Sequence, residues 1–422
     1  MKQNKFNINI SLISDSKYLF FFSVVERSFF FLFFLILARK VSQNDYGQIV
    51  VILTSANMYA FFFNLGFSIF IQKEVASKKE DIFHYYKYFL NITFILFLLF
   101  FPSGLIFFSN FYTDFSLFNS SIILISSYLF QLAYLPISFL NGKKNYKIQF
   151  KVISINRAIG LILLIILFFF AENENSYFLM IIMITTFCYV FYLLLYIQNR
   201  YSKIKTDAKP NINYFLITLK FIVPIYFTSL LNYFYDKTDL LLISNILGYS
   251  EAGYYSIAYG IVKSSTIFFS FLLTSFYSDI SGVVNNDSEL KKIIEKNIKL
   301  LLPIVLLLSL ILFSFSDLII NIFYGIRYEN SIPVFRVLSF SLIFIGINYL
   351  VGNIINAIGS YKINFVNMLL VLILNILLNI IFIKYYGIIA SAFAYIISEL
   401  FLFFLGIFYL IRYFKKLNKG NE

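Results

Sequence analysis

The sequence Tyr146-Lys147-Ile148-Gln149-Phe150 recurs 215 residues later as Tyr361-Lys362-Ile363-Asn364-Phe365, with four of the five residues identical. An asparagine stands five positions before each copy, at Asn141 and Asn356. The offset is close to half of the 422-residue chain, which is the signature of an internal repeat. Chance similarity is the alternative in a chain that holds 56 phenylalanines and is also rich in isoleucine.

A second, looser similarity relates residues 37–47 to residues 243–253, at an offset of 206. In both stretches an acidic residue, Asp45 or Glu251, stands two positions before a glycine that opens the next predicted helix. The two offsets agree closely enough to indicate that the chain consists of two similar halves.

The composition places these halves in a membrane. Hydrophobic residues make up 60% of the chain and charged residues only 13%, with a mean hydropathy of +0.81. Soluble domains carry about 25% charged residues, so this chain has too few polar side chains to cover a soluble globule. An ordinary soluble enzyme is therefore excluded.

Twelve apolar runs are long enough to cross about 30 Å of hydrocarbon, and each is predicted to be a helix because backbone groups in lipid must be satisfied within the segment. We therefore predict an all-α, polytopic membrane protein with two parallel-repeat six-helix bundles around a central cavity. The predicted domains are an N-terminal bundle at 1–200, a cytoplasmic linker at 201–213 and a C-terminal bundle at 214–422. The spans lie near residues 18–38, 48–71, 88–108, 117–139, 152–170, 177–197, 214–235, 252–278, 300–322, 333–355, 365–383 and 388–411.

The net charge of +13 follows the predicted topology. With a cytoplasmic N-terminus, the inner segments hold 24 lysines and arginines and the outer loops hold five, while the other five lie within or beside spans. Cytoplasmic loops of membrane proteins carry such an excess. The asymmetry predicts that both termini are cytoplasmic, and it explains the positive charge without nucleic-acid binding.

Ionisable side chains inside predicted spans are candidates for function, because each costs a few kcal/mol at mid-bilayer unless water or a partner receives it. We predict that the cations Arg27, Arg157 and Lys263 line the cavity and bind substrate. The acids Glu26, Asp239 and Glu399 are candidates for coupling transport to an ion. The alternative is structural pairing of the cations with these same acids.

Polar side chains share helix faces with several of these charges. Successive residues are 100° apart around a helix, so their spacing in the sequence shows which of them lie on the same face. Asn232 lies on the face of Asp239, with Asp236 at its margin, while Tyr259 lies beside Lys263 on the next span. The alternative is that such polar stripes only join packed helices. The predicted polar cavity residues are Asn232, Tyr259, Asn367, Asn375 and Tyr395.

No catalytic or cofactor-binding pattern accompanies these charges. The sequence lacks a phosphate-binding Gly-x-x-x-x-Gly-Lys-Ser/Thr loop, and its only histidine, His84, has no Cys or His cluster for a metal. Membrane-embedded glycosyltransferases and polymerases use sizeable outer loops with acidic residues, whereas the predicted outer loops here are short. We therefore predict a transporter, with no cofactor, no metal site and no catalytic residue.

The sequence also resembles the polysaccharide biosynthesis protein family, which contains the Wzx-type flippases of the multidrug/oligosaccharidyl-lipid/polysaccharide exporter superfamily. The similarity extends over nearly the whole chain, although the motifs mark helix junctions more than chemistry. They lie at residues 37–47, 64–66, 72–76, 239–248, 253–256, 324–328, 333–338, 353–359 and 387–394.

This resemblance implies a flippase that moves an undecaprenyl-pyrophosphate-linked oligosaccharide, of O-antigen or capsule type, across the bacterial inner membrane by alternating access. It implies membrane lipids, a polysaccharide polymerase and a chain-length regulator as partners, and H⁺ or Na⁺ as a coupling ion. Two other transporters remain as alternatives: an H⁺- or Na⁺-coupled multidrug antiporter and a flippase for the peptidoglycan precursor.

Overall fold

The computed structural model describes residues 10–77, 82–170, 175–202, 212–283 and 287–420, and within these ranges every regular element is helical. The first seven helices are α1 (Ile10–Lys40), α2 (Gln43–Phe62), α3 (Phe67–Ala76), α4 (Ile82–Phe111), α5 (Leu117–Gly142), α6 (Tyr146–Phe170) and α7 (Asn175–Tyr201). The others are α8 (Ile212–Leu247), α9 (Tyr249–Ser265), α10 (Ile267–Val283), α11 (Asp287–Ser314), α12 (Ser316–Phe323), α13 (Ser331–Ser339), α14 (Ser341–Ala357), α15 (Tyr361–Tyr386) and α16 (Ile388–Gly420).

Contacts between these helices group the chain into two units. Unit 1 comprises residues 1–40 and 52–226, and unit 2 comprises residues 41–51 and 227–422. Within unit 1, α1 packs on α6, and α5 packs on α3, α4 and α7; within unit 2, α16 packs on α14 and α15, and α11 packs on α14. Helix α2 contributes its first turns to unit 2 and the remainder to unit 1. The domain boundaries predicted at residues 200 and 214 stay a prediction.

The helices are those of a multi-pass membrane protein. In the described ranges, nine are long and apolar enough to cross a bilayer, and the pair α2 and α3, bent by 58°, makes a tenth if counted as one span. Large apolar side chains such as Ile159, Ile162 and Phe169 of α6 are exposed, as expected where a helix faces lipid. The all-α membrane class is confirmed, whereas this count does not establish the predicted number of twelve.

Predicted span eight, residues 252–278, is in fact two helices of 17 residues each, α9 and α10, which meet at Thr266. Hydroxyl groups here bond to main-chain oxygens one turn earlier: Ser265 Oγ donates to Ile261 O at 2.8 Å, and Thr266 Oγ1 donates to Lys263 O at 2.7 Å. Such bonds compete with the helix and bend it. The single continuous helix predicted for this span is therefore interrupted at Thr266.

The repeated pentapeptide makes the same hydrogen bonds in both units. Gln149 donates from Nε2 to Asn141 Oδ1 at 2.9 Å and to the main-chain oxygen twelve residues upstream at 3.2 Å. Asn364 donates from Nδ2 to Asn356 Oδ1 at 2.7 Å and to the oxygen twelve residues upstream at 3.1 Å. In each unit this amide ties the start of one helix to the end of the preceding one, so the sequence repeat has the same structural role twice.

The other repeat marks a close helix crossing within unit 2. A Cβ added to Gly47 of α2 would lie 1.8 Å from the main-chain oxygen of Tyr249, and one added to Gly253 of α9 would lie 3.2 Å from the main-chain oxygen of Gln43. Only residues without a side chain allow two helix backbones to approach this closely. The two glycines that the sequence comparison aligned therefore pack against each other.

Candidate functional site

Each unit has its own polar cavity. The cavity of unit 2 has a volume of about 400 Å³ and lies between α8, α9, α14, α15 and α16. Its charged and phenolic lining residues are Tyr235, Asp236, Lys263, Tyr349 and Glu399. Asparagine is the commonest residue of its wall, at Asn232, Asn348, Asn353, Asn356, Asn364 and Asn367.

Lys263 enters this cavity as part of an ion pair. Its Nζ lies 2.7 Å from Oδ1 of Asp236, and the hydroxyl of Tyr259 donates to the same oxygen at 3.0 Å. The ammonium also lies 5.6 Å from the ring centre of Tyr259 and 5.8 Å from that of Tyr395, which are cation–π distances. The partner of Lys263 is thus Asp236, not any of the acids Glu26, Asp239 or Glu399 considered for pairing with the cations.

Asp236 is the charged cavity residue that sequence reasoning missed, together with neutral wall residues such as Tyr235 and Asn348. Helical spacing placed it only at the margin of the polar face of its span, because that face was centred on the other polar residues. The signal that identifies it is its position about one helix turn before Asp239 taken together with a lysine on the following span, and that pairing becomes visible only in three dimensions.

Glu399 lines the same cavity and is held by neutral donors. The hydroxyl of Tyr235 donates to its Oε1 at 3.2 Å, and the amide of Asn348 donates to its Oε2 at 2.7 Å. The residue is only 5% exposed. A carboxylate kept in place by such donors adds fixed negative charge and hydrogen-bond acceptors to the cavity wall.

Asp239 lies outside the cavity lining, in a buried cluster of its own. Its Oδ2 accepts from the hydroxyl of Tyr255 at 2.7 Å and its Oδ1 accepts from the amide of Asn379 at 2.8 Å, while the amide of Asn375 also faces it. Within the described ranges no lysine or arginine forms an ion pair with it. The Oδ1 atoms of Asn375 and Asn379 are buried and have no hydrogen-bond partner in the part of the chain that the structure describes.

A row of packed tyrosine rings, two pairs stacked and one edge-to-face, connects the Asp239 cluster to Glu399. The neighbouring ring centres are 5.9, 5.5 and 5.4 Å apart. Aromatic pairs at such distances stabilise each other and resist reorientation. In order from the Asp239 cluster the rings are Tyr255, Tyr259, Tyr395 and Tyr235.

The cavity of unit 1 has a volume of about 230 Å³ and contains the other two predicted cations, Arg27 and Arg157. The Nη2 atom of Arg157 lies 3.0 Å from Oε1 of Glu26, and its guanidinium carbon lies 4.7 Å from the ring centre of Phe29. Arg157 is only 2% exposed, so this ion pair is largely removed from water at the arginine end.

Several buried donors on residues that line this smaller cavity have no partner among the described residues. They are Nε and Nη1 of Arg157, together with the hydroxyls of Thr186 and Tyr189. Buried donors are normally satisfied, and leaving one unpaired costs about 1–3 kcal/mol. These unsatisfied donors make the surroundings of Arg157 a candidate site for an anionic group rich in acceptor oxygens.

The structure therefore divides the predicted site residues into three groups. Arg27, Arg157 and Glu26 line the cavity of unit 1, while Asp239 and Asn375 lie in the buried cluster of unit 2. The residues that line the cavity of unit 2, or whose rings flank its lysine, are Asn232, Lys263, Asn367, Glu399, Tyr259 and Tyr395.

Comparison of the sequence with models of known protein families identifies the family of this chain. The model of a family described as polysaccharide biosynthesis protein matches residues 36–333, which is most of the chain. This chain belongs to that family. No protein of curated function matches the sequence.

Solved structures of transporters have the same fold. An inward-facing multidrug resistance MATE family transporter of the MOP superfamily superposes with a TM-score of 0.80 at 11% identity, covering 96% of this chain and all of that one. The lipid II flippase MurJ in an inward closed conformation superposes with a TM-score of 0.69 at 19% identity, covering 92% of this chain and 87% of that one. A MOP superfamily transporter from Pyrococcus furiosus superposes with a TM-score of 0.69 at 12% identity, covering 93% of each chain. At these identities the similarity establishes the fold alone.

Proposed function

We propose that this polysaccharide biosynthesis protein is a flippase for an undecaprenyl-pyrophosphate-linked oligosaccharide, of O-antigen or capsule type, and that it works by alternating access. The observation that carries this proposal is the wall of the unit 2 cavity, where asparagine amides surround the pair of Lys263 and Asp236. Family membership and the transporter fold support it.

Each cavity, considered by itself, has chemistry that suits one polar part of such a substrate. The amide groups of Asn232, Asn348, Asn353 and Asn364 already donate within the protein, so these residues match sugar hydroxyls chiefly through their side-chain oxygens, which accept. The unsatisfied guanidinium donors of Arg157 match the oxygens of a pyrophosphate, because guanidinium and phosphate groups form strong charge-assisted bonds. The prenyl tail needs no polar site, since it is soluble in the bilayer.

A multidrug antiporter is a weaker candidate. Hydrophobic organic cations bind best in cavities lined by aromatic rings and by a carboxylate that is not already in an ion pair. In this cavity Asp236 is paired with Lys263, and the carboxylate of Glu399 already accepts two hydrogen bonds. A peptidoglycan-precursor flippase is the stronger alternative, because its substrate has the same pyrophosphate carrier and MurJ shares this fold.

The remaining assignments form part of the same proposal. The charge asymmetry supports a bacterial inner membrane protein with both termini in the cytoplasm. A polysaccharide polymerase and a chain-length regulator would act on the translocated unit. No bond is made or broken in this scheme, so the chain is proposed to be a transporter and not an enzyme.

Replacing Lys263 with methionine is expected to lower export of the surface glycan about tenfold or more, because a hydrogen bond to a charged group contributes about 1.5–3 kcal/mol. The measurement is the amount of surface glycan in cells whose chromosomal copy is deleted and replaced by the variant, normalised to the amount of protein in the membrane.

The double variant Lys263→Met, Asp236→Asn separates binding from folding, because it removes the unpaired acid together with the lysine. It is expected to restore the protein level but not export. Lys384→Met, at an exposed lysine near the end of α15, is the matched control and is expected to leave export unchanged. Normal export by Lys263→Met at a normal protein level would rule out a role for this cation in substrate binding.

We propose further that Asp239 carries the coupling ion, H⁺ or Na⁺. Of the three acids predicted for this role, Glu26 is paired with Arg157, whereas Asp239 has no cationic partner in the described residues. Its carboxylate supplies oxygen atoms, which are the ligands that hard cations prefer, and the same group can take up a proton.

Replacing Asp239 with asparagine is therefore expected to abolish the response of transport to an imposed H⁺ or Na⁺ gradient. The measurement is the initial rate of substrate translocation in proteoliposomes with and without each gradient. Glu399→Gln is the matched control, since it neutralises another buried acid of the same unit, and it is expected to keep the response. A gradient response that survives in Asp239→Asn would assign coupling to another group.

A further inference from the structure

A groove on unit 2 lies at the end where α11 begins and α16 ends, and it is separate from the transport site. It has a volume of about 360 Å³, within the range of ligand pockets, and shares no lining residue with the 400 Å³ cavity. One face of α16 forms its apolar wall, with residues spaced three and four apart as helix geometry requires. These residues are Ile407, Leu410, Ile411 and Phe414.

Two lysines complete the groove, one from each helix. Lys291 of α11 places its Nζ 5.5 Å from the ring centre of Phe414, and this cation–π contact holds the ammonium against the apolar wall. Lys415 follows Phe414 directly in the chain and is also exposed. Among the described residues no carboxylate lines the groove, so no acid from that part of the chain neutralises the two positive charges within it.

The position of the groove indicates what it receives. Both helices are candidate membrane spans, and the lysines lie near the ends of these spans, where the bilayer surface is expected. The apolar wall extends from that surface toward the hydrocarbon, as Ile407 is about two helix turns from Lys415. A ligand that fits has an apolar chain directly below an anionic group, and basic pockets between membrane helices recognise lipid head groups in this way.

We propose that this groove binds one anionic phospholipid from the surrounding leaflet. Its acyl chain packs against the α16 face, and its phosphate contacts Lys291 and Lys415. The site is independent of the proposed transport substrate, because it needs no residue of either polar cavity. It ties α11 and α16 to the lipid surface at one end of unit 2.

The test uses the full-length protein in nanodiscs of phosphatidylethanolamine with a minor fraction of phosphatidylglycerol. The phosphatidylglycerol that stays bound after transfer to detergent is counted by native mass spectrometry. Each lysine near an anionic surface contributes about 1 kcal/mol, so Lys291→Gln with Lys415→Gln is expected to weaken retention about tenfold or more. The control, Lys292→Gln with Lys296→Gln, removes two exposed lysines of α11 that do not line the groove, and it should retain the lipid.

A second variant tests the apolar wall. Ile411 is 50% exposed, so Ile411→Ser leaves the packed interior intact while removing a contact with the acyl chain, and it should also weaken retention. Equal loss in the lysine pair and its control would overturn the proposal, because it would indicate only general attraction to the basic surface. Unchanged retention in Ile411→Ser, or equally strong displacement by inorganic phosphate alone, would overturn it too, since either result would mean that the groove does not hold an acyl chain.

Discussion

Replacing Arg157 with methionine is expected to remove most transport and to lower the stability of the protein by about 3–5 kcal/mol, the usual cost of removing one partner of a buried ion pair. Arg157 is 2% exposed and bonded to Glu26 at 3.0 Å, so the variant leaves a carboxylate without its cation. The measurements are the thermal unfolding temperature in detergent and glycan export in cells lacking the chromosomal copy.

The double variant Arg157→Met, Glu26→Gln distinguishes the structural role of the pair from its role in binding. Removing both charges is often neutral for stability, so the unfolding temperature should recover while export remains low. Arg336→Met is the control, because the ion pair of Arg336 with Asp317 is exposed, with side-chain exposures of 45% and 54%. If export recovered together with stability, the anion site around Arg157 would be a structural feature only.

Replacing Gly47 with alanine is expected to remove most folded protein from the membrane. The added Cβ would lie 1.8 Å from the main-chain oxygen of Tyr249, a distance that only a shift of the α2 or α9 backbone relieves. Overpacking a close contact costs about 1–3 kcal/mol when side chains adapt, and a backbone oxygen adapts less readily. The measurement is the fraction of monodisperse protein in size-exclusion chromatography of a fluorescent fusion.

Gly260→Ala is the control for that variant, because Gly260 also lies in α9 but an added Cβ there meets no atom within 4 Å. It should leave the monodisperse fraction unchanged or raise it slightly, since alanine favours a helix by about 1 kcal/mol relative to glycine. A normal yield of Gly47→Ala would contradict the close crossing of α2 and α9.

Some features of this fold could be predicted from sequence because they rest on local patterns. Apolar runs and loop charges predicted membrane helices, and the repeated pentapeptide predicted a duplicated element that the hydrogen bonds of Gln149 and Asn364 reproduce. The positions of Lys263 and Arg157 inside predicted spans identified them as candidate site residues, because a cation within a membrane span needs a polar cavity or a partner.

Other features depend on contacts between distant segments and were out of reach. The pair of Lys263 with Asp236 joins residues 27 positions apart on different helices, and spacing along one helix does not reveal it. The break at Thr266 arises from hydroxyl bonds to the backbone, which hydropathy does not register. The assignment of the first turns of α2 to unit 2 likewise follows from glycine contacts between α2 and α9.

The most direct test of the proposed function is translocation of defined lipids by the purified protein in proteoliposomes. The probes are the lipid-linked oligosaccharide extracted from a deletion strain, the peptidoglycan precursor lipid II, and the organic cation ethidium. We predict rapid translocation of the lipid-linked oligosaccharide, and rates for lipid II and ethidium no greater than those of protein-free vesicles. Translocation of ethidium or lipid II in place of the oligosaccharide would contradict the account.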